Sequence, residues 1–204
     1  SDMPPDHPPP PAPTFSEPME EVRARVAKVV GRVSFVSSLE NAVPAVRQYL
    51  EADEERRRKM AATKYFWDTP KFESPMEQRR LRILNSLAAR ALQLNFPVSV
   101  GGSEARDLSI RVGEQHVGFK LEPAGGAPPA SGRGRPLKDP VRLRFEISLR
   151  HYPGGPFREW VDAKGDPLER HLALIRVKLI VAGERFHREH ADYRYRWILE
   201  QRQR

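Results

Sequence analysis

The stretch VRLRFEISLR, residues 141–150, alternates apolar and polar side chains without a break. Successive side chains of a strand point to opposite faces, so a β-strand gathers every apolar residue of this segment on one side. DLSIRV (107–112) and QHVGFKLE (115–122) repeat the alternation on either side of Gly113-Glu114, a two-residue hairpin turn. PVSV (97–100), ahead of a Gly-Gly turn, adds a fourth short strand. One face then holds Leu108, Ile110, Val112, Val117, Phe119, Leu121, Leu143, Phe145, Ile147 and Leu149. The other holds Arg111, His116, Lys120, Arg142, Arg144, Glu146 and Arg150. We expect a mostly antiparallel sheet of about four strands with one apolar and one basic face. HYPGGPFREWVDAKG (151–165) reads as a loop with Trp160 buried.

An apolar sheet face needs a cover, and two helical segments supply it. In SPMEQRRLRILNSLAARALQLNF (74–96), Ser74 caps, Pro75 takes the first turn and Glu77 completes a capping box. Met76, Ile83, Leu84, Leu87, Ala91 and Leu94 form its buried face. Arg79, Arg80 and Arg82 lie in the first two turns, where positive charge opposes the helix dipole and asks for carboxylate or phosphate partners, which Glu77 and other local acids could supply. The last helix opens at GDPLE, with Asp166 as cap, Pro167 first and Glu169 at the capping-box position. Leu168, Leu172, Ile175, Leu179, Ala182 and Phe186 give it an apolar stripe, and Leu174, Val177 and Val181 a second strip. Running from 167 to about 200, it would be about 50 Å long at 1.5 Å per residue, more than four strands can cover. Its distal part, FHREHADYRYRWILEQRQR, should project or meet another chain. Tyr193 and Trp197 continue the stripe, so a homodimer contact is expected there.

The N-terminal part reads differently. Residues 1–15 are Pro-rich and predict an extended, disordered or polyproline II tail. A helix over 16–30 has Ser16 as cap and Val22, Val26, Val29 and Val30 as its stripe. A second helix starts near Ser38, with Leu39, Val43, Val46 and Leu50 on one face and Pro44 in an awkward place. It continues through EADEERRRKM as a solvated stretch of Glu-to-Arg/Lys pairs. TKYFWDTPKFE (63–73), dense in aromatics around Pro70, reads as a strap packed over the core, with a recognition patch as the other reading. The fold class is therefore α+β. The chain divides into a tail (1–15), a helical region with the strap (16–73) and an α+β domain ending in the long helix (74–204).

Charge and composition bear on function. The net charge is +8, and the excess sits late: residues 133–204 carry 17 Lys and Arg against 10 Asp and Glu, whereas residues 1–78 carry 11 against 13. A basic surface attracts polyanions by phosphate contact and counterion release. There is no cysteine, which excludes disulfides, thiol nucleophiles and Cys-ligated zinc and suits the cytoplasm. The apolar runs fall short of the roughly 20 residues needed to span a bilayer, and the start of the chain has no signal-peptide core; no membrane partner is expected.

The segment ASGRGRPLKDP (130–140) is the sharpest functional motif. Arg133-Gly134-Arg135-Pro136 is similar to the core of an AT-hook, whose arginines enter the narrow minor groove of A·T-rich DNA. Lys138 adds a phosphate contact. Gly132 stands where that motif carries its first proline, and a phosphate-contacting loop or a plain linker are the other readings. The basic sheet face (Arg142, Arg144, Arg111 and Lys120) could hold a nucleic-acid backbone or simply face solvent. His187 and His190 lie three apart on a helix, but two ligands do not make a metal site. Asp107, Lys120 and Glu122 caricature a restriction-type nuclease core in reversed order. Gly-rich phosphate loops, Ser-centred elbows and a catalytic histidine environment are missing. No catalytic residue, metal or cofactor is assigned.

Three stretches, FESPMEQRRLRILNSL, RDLSIRVGEQHVGFKLE and REWVDAKGDPLERHLALIRVKLIVAGE, resemble the C-terminal portion of a poorly characterised bacterial protein family over about residues 70–185. Longer members of that family begin with a helix-turn-helix-like segment, so the resemblance implies DNA-linked work and carries no site residue. The expectation is a non-enzymatic nucleic-acid-binding protein, with DNA as partner, in a regulatory or accessory role. The alternative is an oligomerisation or protein-interaction module, and the third reading is a metal-dependent nuclease.

Overall fold

The computed structural model describes residues 8–63, 67–125, 141–148 and 158–203. They form α1 (Met19–Val30), α2 (Pro44–Thr63), α3 (Pro75–Gln93), β1 (Val98–Gly101), β2 (Asp107–Val112), β3 (Gln115–Pro123), β4 (Leu143–Ser148), β5 (Arg158–Val161), a 3-10 turn (Leu168–His171) and α4 (Leu172–Arg202). The five strands make one antiparallel meander in the order β1-β2-β3-β4-β5. With the long terminal helix this is an α+β fold.

The alternating pattern sets the register. Ile110 lies opposite Val98 and Val117, and Phe119 opposite Leu108 and Ile147. Phe145 lies opposite Leu121 and Trp160. Phe119 stacks on Phe145 at 5.1 Å between centroids, and Trp160 meets Phe145 edge-on at 6.0 Å. The expected apolar face is buried from Leu108 to Ile147 apart from Val112, which is partly buried. Leu149 and Arg150 lie outside the described residues. Trp160 is buried as expected, but it sits on a strand rather than in a loop, because REWV pairs with β4. Four residues are too few for period two to announce themselves in sequence.

Helix α4 packs on β2 and β3, with α3 beside it near β1; α1 lies on α4, and α2 on α3 and β1. Val22, Val26 and Val30 of α1 and Val46 of α2 join the same core as the sheet. Helix α3 is buried all round from Ile83 to Ala88, so even its polar residues face protein. The Ser86 hydroxyl accepts the Val36 amide at 2.9 Å and Asn85 Oδ1 accepts the Val43 amide at 2.8 Å. These two bonds pin the irregular segment 31–43 across α3.

Several helix starts differ from expectation. Helix α1 begins at Met19 after Pro18, with no side-chain cap. Helix α2 begins at Pro44, not near Ser38: proline fits the first turn and not the interior. Ser74 caps α3 by accepting the Glu77 amide at 3.2 Å, but the Glu77 carboxylate binds Arg80 and Arg106 instead of closing a box. Asp166 does not cap α4; its carboxylate meets the His171 ring across a 3-10 turn, and Glu169 turns to Arg79. The strap is anchored by Asp53, which is buried although it sits in the charged run of α2. Its carboxylate accepts the Lys71 and Phe72 amides at 3.0 and 2.7 Å and the Arg56 guanidinium at 2.9 Å. Phe72 is buried against Tyr49, Trp67 is 91% exposed, and Tyr65 and Phe66 lie outside the described residues.

Two close-packed positions give tests of this architecture. A Cβ at Gly183 would fall 2.5 Å from Val112 Cβ, so glycine lets α4 approach β2. Gly183→Ala should therefore destabilise by about 1–3 kcal/mol by overpacking, against the roughly 1 kcal/mol that alanine ordinarily gains in a helix. Urea unfolding measures it, and Val112→Ala in the same chain should recover part of the loss. Arg176 is the other position. It is 1% exposed and donates through Nη2 to the Ser86 and Leu87 carbonyls at 2.7 and 2.8 Å, while Nε and Nη1 have no partner among the described residues. Burial, and then the Arg90 charge, push its guanidinium down to about 10, so it stays charged at neutral pH. An unpaired buried charge is costly. Arg176→Met should leave the unfolding midpoint unchanged or raise it; a fall would mean that the two carbonyl bonds outweigh desolvation.

Candidate nucleic-acid interface

The sheet's open face carries the expected cations, but not a basic field. Arg111 stands opposite His116 on the β2–β3 hairpin. Lys120 stands opposite Glu146, which in turn faces Glu159 on β5. Arg144 stands opposite Glu122, reaches Glu159 at 3.6 Å and donates to the Ala124 carbonyl at 3.4 Å. Asp107, at the start of β2, is exposed as well. Carboxylates thus share the face with Arg111, Lys120, Arg142 and Arg144. The expected charge bias is corrected: Glu122, two residues after Lys120 on the same strand, falls on this face as well, and β5 adds Glu159. The nuclease-like trio lies on this face, with Lys120 and Glu122 each opposite an oppositely charged residue.

Charge is less balanced where β3 ends and β4 begins. The Ala124 amide donates to the Arg142 carbonyl at 2.8 Å, closing the ladder where the chain leaves for residues 126–140. Arg133, Arg135 and Lys138 lie in that segment, outside the described residues. Beside its root is a cleft of about 890 Å³ lined by Arg79, Val141, Arg142, Asp162, Ala163, Lys164, Pro167 and Glu169. Arg142 and Lys164 are both exposed. Neither is within ion-pair distance of a carboxylate among the described residues.

A clamp forms the wall of this cleft. Arg79, from the first turns of α3, donates Nε and Nη2 to Glu169 at 2.7 and 2.6 Å. The same guanidinium grips Asp162 with Nη1 and, at 2.8 Å, with Nη2. Asp162 also accepts the Leu143 amide at 2.7 Å and the Leu168 amide at 2.9 Å. One carboxylate therefore joins α3, β4 and the 3-10 turn. Burial alone would raise both carboxyls; the hydrogen bonds from Arg79, helped on Asp162 by the two amides, outweigh it and hold both below their ordinary values. The same bonds, first to Asp162 and then to Glu169, raise the Arg79 guanidinium. The charge that opposes the α3 dipole is thus met by remote acids. Arg80 is met differently, by Glu77 at 2.7 Å and by the Ala105 and Glu104 carbonyls at 2.7 and 2.6 Å.

Lys164 has no signature in the sequence; only the turn between β5 and the 3-10 helix brings it beside Arg142. Of the two histidines, His187 packs edge-on against Phe15 at 6.4 Å and His190 is exposed, while Glu184 accepts from Arg188 at 3.0 Å. A second groove, of about 590 Å³, lies between α2 and Trp67, but Asp53 and Asp68 occupy its Arg56. No protein family, curated protein or solved structure matches the chain.

Removing Asp162 leaves Arg79 Nη1 and two buried amides without an acceptor, while Glu169 keeps its two bonds to the guanidinium. Asp162→Ala should cost about 2–5 kcal/mol, at about 1–3 kcal/mol for each buried donor left unpaired, read by urea unfolding at neutral pH. The pH dependence has a defined sign. Carboxyls lowered by folding contribute stability that is complete above their ordinary values of 3.8 and 4.5 and is lost as pH falls through the lower folded values. The difference between native chain and variant should shrink below that window.

Proposed function

We propose that this is a non-enzymatic nucleic-acid-binding protein, with DNA as its partner, acting in a regulatory or accessory role from the β3–β4 end of the sheet. The observation that carries the reading is the pair Arg142 and Lys164: two exposed cations, without carboxylate partners among the described residues, on the rim of one cleft. Arg133, Arg135 and Lys138 belong to the segment that leaves beside them. Cations free of internal partners release counterions when they meet phosphate. Cations already paired, such as Arg144, give up a partner to do so. Lys120 and Arg111 are assigned a secondary part, at the margin of the interface. The Arg-Gly-Arg-Pro sequence is suited to a narrow minor groove, where two arginines seek the enhanced negative potential.

The test is a fluorescence-anisotropy titration of A·T-rich and G·C-rich duplexes at several salt concentrations. The native chain should bind more weakly as salt rises. Arg142→Ala/Lys164→Ala should reduce the slope of log K against log salt by about two, close to one for each phosphate no longer neutralised. Arg133→Ala/Arg135→Ala should remove any A·T preference. Absence of binding at low salt, or binding that both variants leave unchanged, overturns the reading.

A further inference from the structure

The end of α4 carries an apolar face that the fold does not use. Ile175, Leu179 and Ala182 are buried, and Phe186 packs against the core. At 3.6 residues per turn Tyr193 and Trp197 continue the same stripe, yet they are 63% and 51% exposed. On its other flank the helix meets the N-terminal segment at Arg188, whose guanidinium lies 4.8 Å over the Phe15 ring. Residues 189–202 run on for about 20 Å.

The charges beside the aromatic pair are arranged unlike those of the preceding turns. Arg188 pairs with Glu184 at 3.0 Å and Arg185 with Glu189 at 3.7 Å, both within the helix. Arg196 and Glu200 have the same spacing but no ion-pair partner among the described residues; Arg196 Nε meets the Asp192 carbonyl at 3.5 Å. Tyr193, Arg196, Trp197 and Glu200 together line a groove of about 110 Å³. The surface is therefore aromatic, with one positive and one negative charge a turn apart and neither taken up by an ion pair among the described residues.

Such a surface is complementary to itself in one direction. A two-fold axis crossing the helix near Ile198 sets Arg196 of one chain against Glu200 of the other, and the reverse, while the two Trp197 side chains meet beside the axis and each Tyr193 reaches the end of the other helix. A parallel pairing would set Arg196 against Arg196 and Glu200 against Glu200, which is unfavourable. We propose that the α4 overhang is an antiparallel homodimer contact. The helices overlap over residues 194–202, nine residues a side and about 13 Å of helix, which places it among small, reversible interfaces. The proposal does not rest on nucleic-acid binding, and its test contains no nucleic acid.

The experiment is sedimentation velocity on the full chain over a wide concentration range. The native chain should pass from monomer to dimer. Arg196→Glu and Glu200→Arg should each weaken association by about tenfold or more, because each creates like charges across the interface. The two single variants mixed together should associate again, since one then supplies two acids and the other two bases. The double variant Arg196→Glu/Glu200→Arg should dimerise like the native chain. Both positions are on the helix surface, so circular dichroism should show equal helix content. A monomer at every concentration overturns the proposal. So does a dimer indifferent to the single reversals, or single variants that fail to associate when mixed.

Discussion

One apolar sheet face has to be kept from water, and most of the architecture follows from how that is done. The β2–β4 face presents Leu108 to Ile147 in an unbroken patch with Phe119, Phe145 and Trp160 across its middle. Burying such side chains is worth about 1.5–3 kcal/mol each, and α4 and α3 do the covering. The cover is tight enough to require glycine at 183 against Val112. Because α3 is then enclosed by α4, the sheet, α2 and the segment 31–43, its polar residues have no water to face. Ser86 and Asn85 meet that constraint by accepting backbone amides of the crossing segment. Arg176 meets it only in part, with two of its donor groups unmatched among the described residues.

How far the sequence revealed this depends on the range of each interaction. Period two placed the β2–β4 residues on their correct faces, and period 3.6 found α3 and α4, because these signals repeat over many residues. Single-residue decisions were weaker. Pro44 chose the first turn of α2 over its interior, and Asp166 gave up its capping role once Glu169 was drawn to Arg79. Buried charge was hardest to read. Asp53 looks like one more acid in a solvated run, and only the folded chain brings the Lys71 and Phe72 amides to it. Arg79 signalled that it needed an anion, but Asp162 and Glu169 lie 83 and 90 residues away, and no local pattern names them.

The same limit applies to the candidate site. Alternation put Arg111, Lys120, Arg142 and Arg144 on one face, and the chain-end excess of positive charge made that face look basic. Cross-strand register decides otherwise: Glu122, Glu146 and Glu159 stand opposite Arg144, Lys120 and one another. Charge on a strand is therefore a poor guide to the field of a sheet, since neighbouring strands contribute equally. What distinguishes Arg142 and Lys164 is that two cations without such a neighbour among the described residues line one cleft, a property of topology rather than composition.

The two proposed surfaces constrain each other's use. The cleft of Arg142 and Lys164 lies beside the start of α4, and the self-complementary face lies near its end. From Leu172 to Ile198 the helix rises about 39 Å at 1.5 Å per residue. An antiparallel pair joined near Ile198 would hold its two clefts about 80 Å apart, and α4 is a single uninterrupted helix between them. On B-DNA that span is about 23 base pairs at 3.4 Å per pair. If both proposals hold, a reversible dimer with sites so far apart would gain from a polyanion what it lacks alone: with one cleft engaged, the second would bind at high effective concentration, provided both reach the same duplex. Phosphate contacts that are individually weak and non-specific would then suffice for useful affinity, and that affinity would depend on duplex length as well as on salt.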